Sequence, residues 1–177
     1  MPSANKSSKL STTSAQSVSK EFSQKIKLII DGGVSKIGLE STVVDLSDSK
    51  IRILRPGIIT KKQISQLLKI KINLANKNSS LKSPGMLKRH YSPGIPIKLN
   101  QKKADLKTAF LVIGKKFKIK KNIFNLSRSG NLEEAARNLY KTLRMIKEMN
   151  FKKINVIKIP NRGIGVAIND RLKKASY

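Results

Sequence analysis

The hydrophobic pattern of the amino-terminal third predicts short helices and strands in alternation. Apolar residues at helical spacing predict a helix over 15–22, after a Ser/Thr-rich start. The β-branched run 26–30 ends in Asp-Gly-Gly and predicts a strand that leads into a turn. Two further strand-like runs, 41–46 and 51–54, are separated by polar residues and together predict a hairpin.

Capping signals predict where helices begin. A Ser, Thr or Asn followed three residues later by Gln or Glu, just before apolar residues at helical spacing, is typical of a helix N-terminus. Three such pairs occur: Thr13 with Gln16, Thr60 with Gln63, and Asn131 with Glu134. We expect helices to start at these points.

The remainder of the chain predicts a linker followed by a second folded unit. From about residue 70 to 96 the pattern decays into Asn, Lys, Ser, Pro and Gly, a composition typical of linkers. Beyond it, strand-like runs at 109–113, 122–126 and 154–159 alternate with apolar helical stripes at 132–149 and 164–175. Strands and helices in this order predict a small parallel α/β unit.

Composition excludes several classes of protein. The 177 residues are 38% hydrophobic with a mean hydropathy of −0.32, which argues against a wholly disordered chain. No apolar run approaches the roughly 20 residues of a membrane span, so we expect no membrane association. The absence of cysteine excludes disulfides and thiolate chemistry. The start lacks the features of a secretory signal, and a cytoplasmic protein is expected.

The chain is strongly basic. Thirty-eight Lys and Arg against ten acidic residues give a net charge of +28, which suits a polyanionic or anionic partner such as RNA. Lysines greatly outnumber arginines, a bias that the codon usage of an AT-rich genome would also produce. Aromatic residues, which nucleic-acid modules use for stacking, make up only 5% of the chain. The charge by itself therefore assigns no function.

Most familiar catalytic motifs are missing. His90 is the only histidine, so a histidine metal cluster is excluded and a Ser-His-Asp triad would depend on a linker residue. The Gly-Lys-Lys at 114–116 lacks the earlier glycine and the hydroxyl of a phosphate-binding loop. The Gly-Ile-Gly at 163–165 has Ile168 at the position of the third glycine of a dinucleotide fingerprint, so a tight turn explains it better.

Three polar clusters remain as candidate binding groups. Hydroxyls and amides at 2–5 and 11–13 lie at the start of a predicted helix, where they suit a phosphate or a nucleotide. Residues 38–42 enter one strand of the predicted hairpin and 55–57 leave the other, so these two ends lie close together. Ser41 would then orient a small polar substrate while Arg55 binds a phosphate or carboxylate. Taken singly, each is better explained as a capping residue, an edge-strand serine or a solvated arginine.

Taken in order, these segments resemble the L-threonylcarbamoyladenylate synthase family. The segments are Pro-Ser-Ala-Asn at 2–5, Asp-Gly-Gly at 31–33, Gly-x-Glu-Ser-Thr-Val-Val-Asp at 38–45, Leu-Arg-Pro-Gly at 54–57, Ser-Pro-Gly-Met-x-x-x-His-Tyr-Ser-Pro at 83–93, Ala-Ala-Arg-Asn-Leu-Tyr at 135–140 and Gly-x-Ala-Ile-x-Asp-Arg-Leu at 165–172. The resemblance implies an α/β fold in three parts. Residues 1–69 would be the C-terminal half of a YrdC-like twisted mixed-sheet catalytic domain, 70–95 a linker or flap, and 96–177 a small Rossmann-like domain.

The resemblance also implies an activity and a set of site residues. The family makes threonylcarbamoyl-AMP and pyrophosphate from L-threonine, bicarbonate and ATP, for the t6A modification of tRNA. ATP would bring Mg²⁺ with it, and no dedicated protein metal site or protein nucleophile is implied. Partners would be these substrates, and tRNA or the downstream threonylcarbamoyl-transfer machinery. By motif position, ATP or the adenylate would contact Ser3, Asn5, Ser11, Arg55 and Tyr91, and L-threonine would contact Ser41.

Two features depart from the family pattern. The Ser-Ala-Asn stretch follows the initiating methionine directly, whereas in the family it lies well inside the catalytic domain. We therefore expect a fragment, a split gene or a late start site, and little or no adenylate formation by the isolated chain. Ser8 also stands where a glycine is common. The alternative hypothesis is a basic RNA-binding or assembly module that retains the fold without the activity.

Overall fold

The computed structural model describes residues 4–47, 49–75 and 90–177, which form a mixed α/β fold with two separate sheets. The helices are α1 (Ala15–Phe22), α2 (Lys61–Leu68), α3 (Leu132–Glu148) and α4 (Gly165–Ala175). The strands are β1 (Val43–Asp45), β2 (Arg52–Arg55), β3 (Asn73–Leu74), β4 (Ile97–Lys98), β5 (Ala109–Val112), β6 (Ile123–Asn125) and β7 (Ile154–Val156). This architecture confirms the predicted α/β class. Among the described helices, none is both long and apolar enough to cross a membrane.

The amino-terminal part, residues 4–75, contains a three-stranded sheet in the order β1-β2-β3. β1 and β2 are antiparallel, which confirms the predicted hairpin, and Ile53 in the central strand is 2% exposed. β3 pairs with β2 in parallel, inside the segment whose composition predicts a linker. Ile72, immediately before β3, is completely buried. Ile70, Ile72 and Leu74 alternate with Lys71 and Asn73, a strand pattern that the linker-like composition of the surrounding residues concealed.

The strand predicted over 26–30 is wrong. These residues have no regular secondary structure, and Leu28 and Ile30 are 76% and 85% exposed. β-branched residues favour a strand only where a neighbouring strand pairs with them and a packed surface covers them. Neither condition is met among the described residues.

The start of α1 differs by one residue from the prediction. The N-cap is Ser14 rather than Thr13: its side chain accepts from the Ser17 N–H at 3.2 Å, and the Ser17 hydroxyl accepts from the Ser14 N–H at 3.1 Å. Gln16 therefore has no part in this capping box. Ser14 has the extended backbone that an N-cap requires. The other two predicted caps are confirmed, with Thr60 and Gln63 at α2 and Asn131 and Glu134 at α3.

The carboxy-terminal part, residues 90–177, contains a parallel four-stranded sheet in the order β4-β7-β5-β6. This confirms the predicted parallel α/β unit, although β4, where Ile95, Ile97 and Leu99 alternate with Pro96 and Lys98, was not predicted. All four residues of β5 are buried. The apolar stripe of α3 also faces the interior, through Ala135, Ala136, Leu139, Leu143 and Ile146. The stripe ends at Met149, which is half exposed.

One hydrophobic core joins the two parts of the chain. It contains residues of the parallel sheet, α3 and α4, and it extends to Leu10 and Tyr91. Leu39 and Ile58 pack against it from segments that flank the hairpin. The amino-terminal part is therefore anchored to the core that the carboxy-terminal part supplies.

Candidate functional site

The hairpin brings Ser41 and Arg55 together. Arg55 ends β2, and Ser41 lies just before β1, where Val43 is the register partner of Arg55. The Arg55 Nε donates to the Ser41 carbonyl oxygen at 3.1 Å, and Nη2 lies 3.3 Å from the Ser41 hydroxyl oxygen, which accepts from it. Two donors of one guanidinium thus engage the residue that the sequence predicts as the threonine contact. The two residues meet because the ends of a hairpin lie close together, as the sequence predicts.

A glycine allows the chain after Arg55 to pass against the residues beside Ser41. A Cβ added at Gly57 would lie 2.4 Å from the backbone nitrogen of Thr42 and 2.6 Å from the carbonyl oxygen of Glu40. No side chain fits at such distances, so glycine is required by the close approach of two backbones. The Thr42 hydroxyl also donates to the Ile59 carbonyl at 2.6 Å.

The predicted nucleotide contacts near the amino terminus lie in one loop. The Asn5 side chain donates to the Lys6 carbonyl at 2.9 Å, and the Thr12 hydroxyl donates to the Ala4 carbonyl at 2.9 Å. Ser11 is 8% exposed, and its hydroxyl donates to the carboxylate of Glu40. Ser3 lies outside the described residues.

Tyr91 lies in the interior rather than on an open surface. It is 1% exposed; its ring stacks on that of Tyr140 at 6.0 Å between centroids, and the Arg171 guanidinium lies 4.9 Å from its centroid. The next residue, Ser92, donates its N–H to the Ser8 carbonyl at 3.0 Å. The last residues of the predicted flap therefore lie against the amino-terminal loop. Residues 76–89 of that segment lie outside the described residues.

Ser8 and Tyr91 share an unusual backbone conformation. Their φ angles are +63° and +59°, in the left-handed region that glycine enters most easily. For Ser8, this is the conformation that the glycine implied at this position by the resemblance would adopt most easily. For Tyr91, a bulky residue, it is a strained conformation that the surrounding packing must hold in place.

Glu40 is the centre of a polar network that the sequence reasoning did not assign. Its carboxylate accepts hydrogen bonds from the Ser11 hydroxyl and from the Tyr140 hydroxyl at 2.9 and 3.0 Å. It also forms an ion pair with Arg171, whose Nε lies 2.7 Å away. Arg171 Nη2 in turn donates to the Pro56 carbonyl at 3.0 Å. One carboxylate thus connects the amino-terminal loop, the hairpin, α3 and α4.

The electrostatics of this network favour an ionised carboxylate. Burial by itself would raise the pKa of Glu40, but the charge of Arg171 and the hydrogen bond from Ser11 outweigh it and lower the pKa. Burial would likewise lower the pKa of Arg171, and the charge of Glu40 reverses this and raises it. Burial and the negative charge of Glu40 raise the pKa of Tyr140, which is therefore a neutral donor. The network holds a full ion pair.

Further basic groups gather beside Arg55. Burial is the main cause of the lowered pKa of His90, and the charges of Lys174, Arg171 and Arg55 lower it further. The Lys174 ammonium pairs with Asp170 at 2.7 Å. Burial also lowers the pKa of Lys174, although the charge of Asp170 opposes this. The charge of Glu40 opposes the lowering of the pKa of His90, and carboxylates pair with two of these cations, Glu40 with Arg171 and Asp170 with Lys174.

Two cavities occur elsewhere in the described part of the chain. One, of about 440 Å³, lies between β2, α2 and the start of α4, and the other, of about 470 Å³, lies between α1 and α3. Neither is lined by Ser41, Arg55 or Tyr91. None of the described site residues that the sequence predicts lines either cavity, and a direct contact among them joins Ser41 and Arg55.

The sequence contains a pattern that could have identified Arg171 as a buried charge, although the sequence analysis did not use it. The apolar stripe of α4 runs through Ala167, Ile168, Leu172 and Ala175, and Arg171 occupies a position on that same face. A charged residue on the buried face of a helix requires a buried partner. The pattern therefore indicates a buried ion pair, although it does not identify Glu40 as the partner.

Models of two protein families match successive parts of the chain. The model described as "Threonylcarbamoyl-AMP synthase, C-terminal domain" matches residues 59–176. The model described as "Telomere recombination" matches residues 1–57. Together they cover almost the entire chain.

Curated relatives share the same name. The threonylcarbamoyl-AMP synthases of Pyrococcus abyssi and Bacillus subtilis are 37% and 33% identical to this chain, and each match covers 99% of this chain and 56% of the relative. The Schizosaccharomyces pombe threonylcarbamoyl-AMP synthase is 41% identical over an aligned length of 102 residues, and the match covers 52% of this chain and 25% of the relative. The chain spans about half the length of the first two.

A solved structure agrees with these matches. The crystal structure of P. abyssi Sua5 complexed with L-threonine superposes with a TM-score of 0.83 at 34% identity, over 99% of this chain and 56% of that one. The family-model match to residues 59–176 alone covers more than half of the sequence. The chain, with its paired Ser41 and Arg55, therefore belongs to the threonylcarbamoyl-AMP synthase family.

Proposed function

We propose that this chain supplies the threonine- and adenylate-contacting groups of a threonylcarbamoyl-AMP synthase. The observation that carries the proposal is the pairing of Arg55 with Ser41, at 3.3 Å between Nη2 and Oγ, in a family member that resembles a threonine-bound structure. The overall reaction would join L-threonine, bicarbonate and ATP into threonylcarbamoyl-AMP, with release of pyrophosphate and water.

Ser41 would hold L-threonine, and the remaining predicted residues would contact ATP or the adenylate. Ser41 is exposed, so a ligand can reach its hydroxyl, and Arg55 fixes its orientation. A guanidinium is well suited to bind a carboxylate or phosphate through two donors. The proposed ATP contacts are Ser3, Asn5, Ser11, Arg55 and Tyr91. For the buried Ser11 and Tyr91, contact with a nucleotide would require a change of their present packing.

Catalysis would depend on positioning and charge neutralisation. The threonine amine would combine with bicarbonate to give a carbamate and water. A carbamate oxygen would then bond to the α-phosphorus of ATP as the bond to the β-phosphate oxygen breaks, releasing pyrophosphate. Arg55 and the neighbouring cations would offset the negative charge that builds up in this step. Mg²⁺ would enter as the counter-ion of the ATP substrate.

The organisation and setting of the protein form part of the same proposal. Residues 1–69 would belong to the catalytic domain, 70–95 to a linker or flap, and 96–177 to the C-terminal domain. The two separate sheets support a division into two parts, although β3 at 73–74 belongs to the amino-terminal sheet and so moves the start of the linker beyond it. The product would pass to the machinery that modifies tRNA, in the cytoplasm. The alternative of a basic RNA-binding or assembly module is not favoured by the family and its named relatives.

The proposal is tested by titrating L-threonine into the chain by isothermal calorimetry, with and without Mg²⁺-ATP. We expect Ser41→Ala to weaken threonine binding by about 10-fold, because about 1.4 kcal/mol is lost with one hydrogen bond to a charged ligand. Ser19→Ala, which removes an exposed hydroxyl from α1, is the matched control and should leave the affinity unchanged.

A chain that binds no L-threonine in either condition would contradict the proposed function. So would equal weakening by the Ser41 and Ser19 substitutions. If such a chain instead bound RNA with an affinity that fell steeply with salt, the RNA-binding alternative would replace the synthase.

A further inference from the structure

Arg171 is the most deeply buried charge of the described chain and is surrounded by groups from several elements. Its side chain is 1% exposed, and it lies on α4 in the carboxy-terminal part. Nε pairs with Glu40 at 2.7 Å, Nη1 with Asp170 at 2.5 Å, and Nη2 donates to the Pro56 carbonyl at 3.0 Å. The Tyr91 ring covers one face of the guanidinium at 4.9 Å.

The partners of Arg171 are the direct neighbours of the two residues at the centre of the proposed site. Glu40 immediately precedes Ser41, and Pro56 immediately follows Arg55. Arg171 is separated in sequence from Glu40 by 131 residues and from Pro56 by 115. A single side chain from the far end of the chain therefore holds both segments, each at the position next to a site residue.

We propose that Arg171 is a positioning residue that sets the separation between Ser41 and Arg55, and that α4 is thereby a structural component of the substrate site. Only the expected effect on substrate binding rests on the proposed function. The claim that Arg171 fixes the backbone of the two segments does not depend on which ligand they bind.

The planar fork of an arginine is what this role requires. Its donors point in fixed, different directions, so one guanidinium can hold the Glu40 carboxylate and the Pro56 carbonyl at a set distance from each other. An ammonium at the same place would keep the charge but not the fixed spacing. The stacking against Tyr91 and the Tyr140 hydrogen bond to Glu40 restrict the remaining freedom of both partners.

The experiment compares two variants of the full chain. Arg171→Lys retains the charge and removes the planar fork of the guanidinium. Lys20→Gln is the control: it breaks an exposed ion pair with Glu148, 2.7 Å long, that also joins the two parts of the chain. Hydrogen exchange is followed by mass spectrometry on peptides covering 39–44 and 54–58, and L-threonine affinity by calorimetry. With Arg171→Lys we expect exchange at least about 10-fold faster in both peptides and threonine binding about 10-fold weaker. Lys20→Gln should change neither.

A reference peptide separates positioning from general stability. Exchange in the buried strand 109–112 should stay at the wild-type rate in Arg171→Lys. Uniform acceleration in all three peptides would make Arg171 a merely structural residue and overturn the proposal, as would unchanged exchange at 39–44 and 54–58. If Arg171→Lys does not fold, Glu40→Gln, which keeps the size and an acceptor oxygen, takes its place. Because this variant also lowers the global stability, its exchange at 39–44 and 54–58 must then accelerate by a larger factor than at 109–112, and an equal factor in all three peptides would overturn the proposal.

The two failures can be told apart. A wild-type chain that binds no L-threonine refutes the proposed function, and the exchange rates at 39–44 and 54–58 still decide the role of Arg171. A chain that binds L-threonine equally well with arginine or lysine at this position refutes the positioning role and leaves the proposed function intact.

Discussion

At the scale of single residues, Glu40 combines a position beside the candidate site with a buried negative charge. It lies beside the proposed threonine contact, and it must remain ionised although its side chain is only 14% exposed. Burying a carboxylate is costly unless a cation and hydrogen bonds compensate it. Arg171, Ser11 and Tyr140 supply that compensation. Because the Ser11 hydroxyl donates its proton to Glu40, any contact of Ser11 with ATP would use an oxygen lone pair or displace this bond.

The ionised state of Glu40 predicts a pH dependence of stability. Its pKa in the folded chain is lowered from 4.5, so the unfolded chain takes up the proton first as the pH falls. The stability that Glu40 contributes is therefore complete above about pH 4.5 and is lost as the pH falls through the folded-state pKa. We expect Glu40→Gln to reduce the free energy of unfolding at pH 7 by about 3 kcal/mol, and this difference to shrink below about pH 4.5.

Denaturant titrations of wild type and variant between pH 3 and 7, over the range in which both fold, measure this difference. Glu133→Gln, at an exposed position in the first turn of α3, is the control and should show a difference that is small at every pH. A Glu40→Gln deficit that grows on acidification would have the wrong sign and would contradict an ionised Glu40.

At the scale of elements, α3 and α4 act as the support of the hairpin. The core that contains these helices also includes Leu10 and Tyr91, and Leu39 packs against it. The backbone before Glu40 makes a particularly close approach to α3. A Cβ added at Gly38 would lie 2.5 Å from the Cα of Arg137, and the φ of Gly38 is +77°. Contact at this distance leaves no space for a side chain.

Gly38→Ala should therefore weaken the docking of the hairpin segment. The added methyl group meets backbone atoms that cannot rotate away, and the positive φ is strained for alanine, so we expect a loss of at least about 2 kcal/mol in unfolding free energy. Gly32→Ala is the matched control, since nothing lies within 4 Å of a Cβ there and its φ is not positive. Its effect should stay within about 0.5 kcal/mol. Thermal and denaturant unfolding of both variants test this, and similar losses in the two would refute a close contact at Gly38.

At the scale of the whole molecule, the two parts differ in how much apolar surface they bury. In the carboxy-terminal part the sheet and its helices form one closed core. In the amino-terminal part many large apolar side chains are exposed in the described structure: Leu28, Ile30, Val34, Ile37, Leu46, Ile59, Leu67, Leu68, Ile70 and Leu74. The amino-terminal part thus gains less stability from burial per residue.

We predict that native-state hydrogen exchange protects residues 109–172 more strongly than residues 26–68. Amides in β5, α3 and α4 lie in the closed core, whereas α2 has no buried residue and 26–30 has no regular hydrogen bonding. Exchange followed by mass spectrometry on the full chain at neutral pH measures the difference. Equal protection along the whole chain would contradict it.

The elements that the sequence predicted well are those with a strong local pattern. α3 repeats its apolar positions over 17 residues and has a cap, and β5 is a continuous apolar run. The strand at 26–30 was predicted wrongly because a short strand depends on pairing with a distant segment as well as on its own residues. β3 and β4 were missed because the alternating residues 70–74 and 95–99 lie within or beside a segment of linker-like composition. The meeting of Ser41 and Arg55 was predictable since a hairpin is a local structure whose ends are close by construction.

The sequence by itself determined the family, the α/β class, the main helices and the hairpin that carries the candidate site. Each of these depends on short motifs or periodic patterns formed by residues near one another along the chain. Only the tertiary structure decided that Ser11 and Tyr91 are buried and that Glu40 is ionised against Arg171. It also decided that the last helix holds the segments beside Ser41 and Arg55. The hydrogen bonds of Glu40 and Pro56 with α3 and α4 join residues 100 to 131 positions apart. Their energies depend on burial and on the alignment of donors with acceptors, which exist only once the chain is folded.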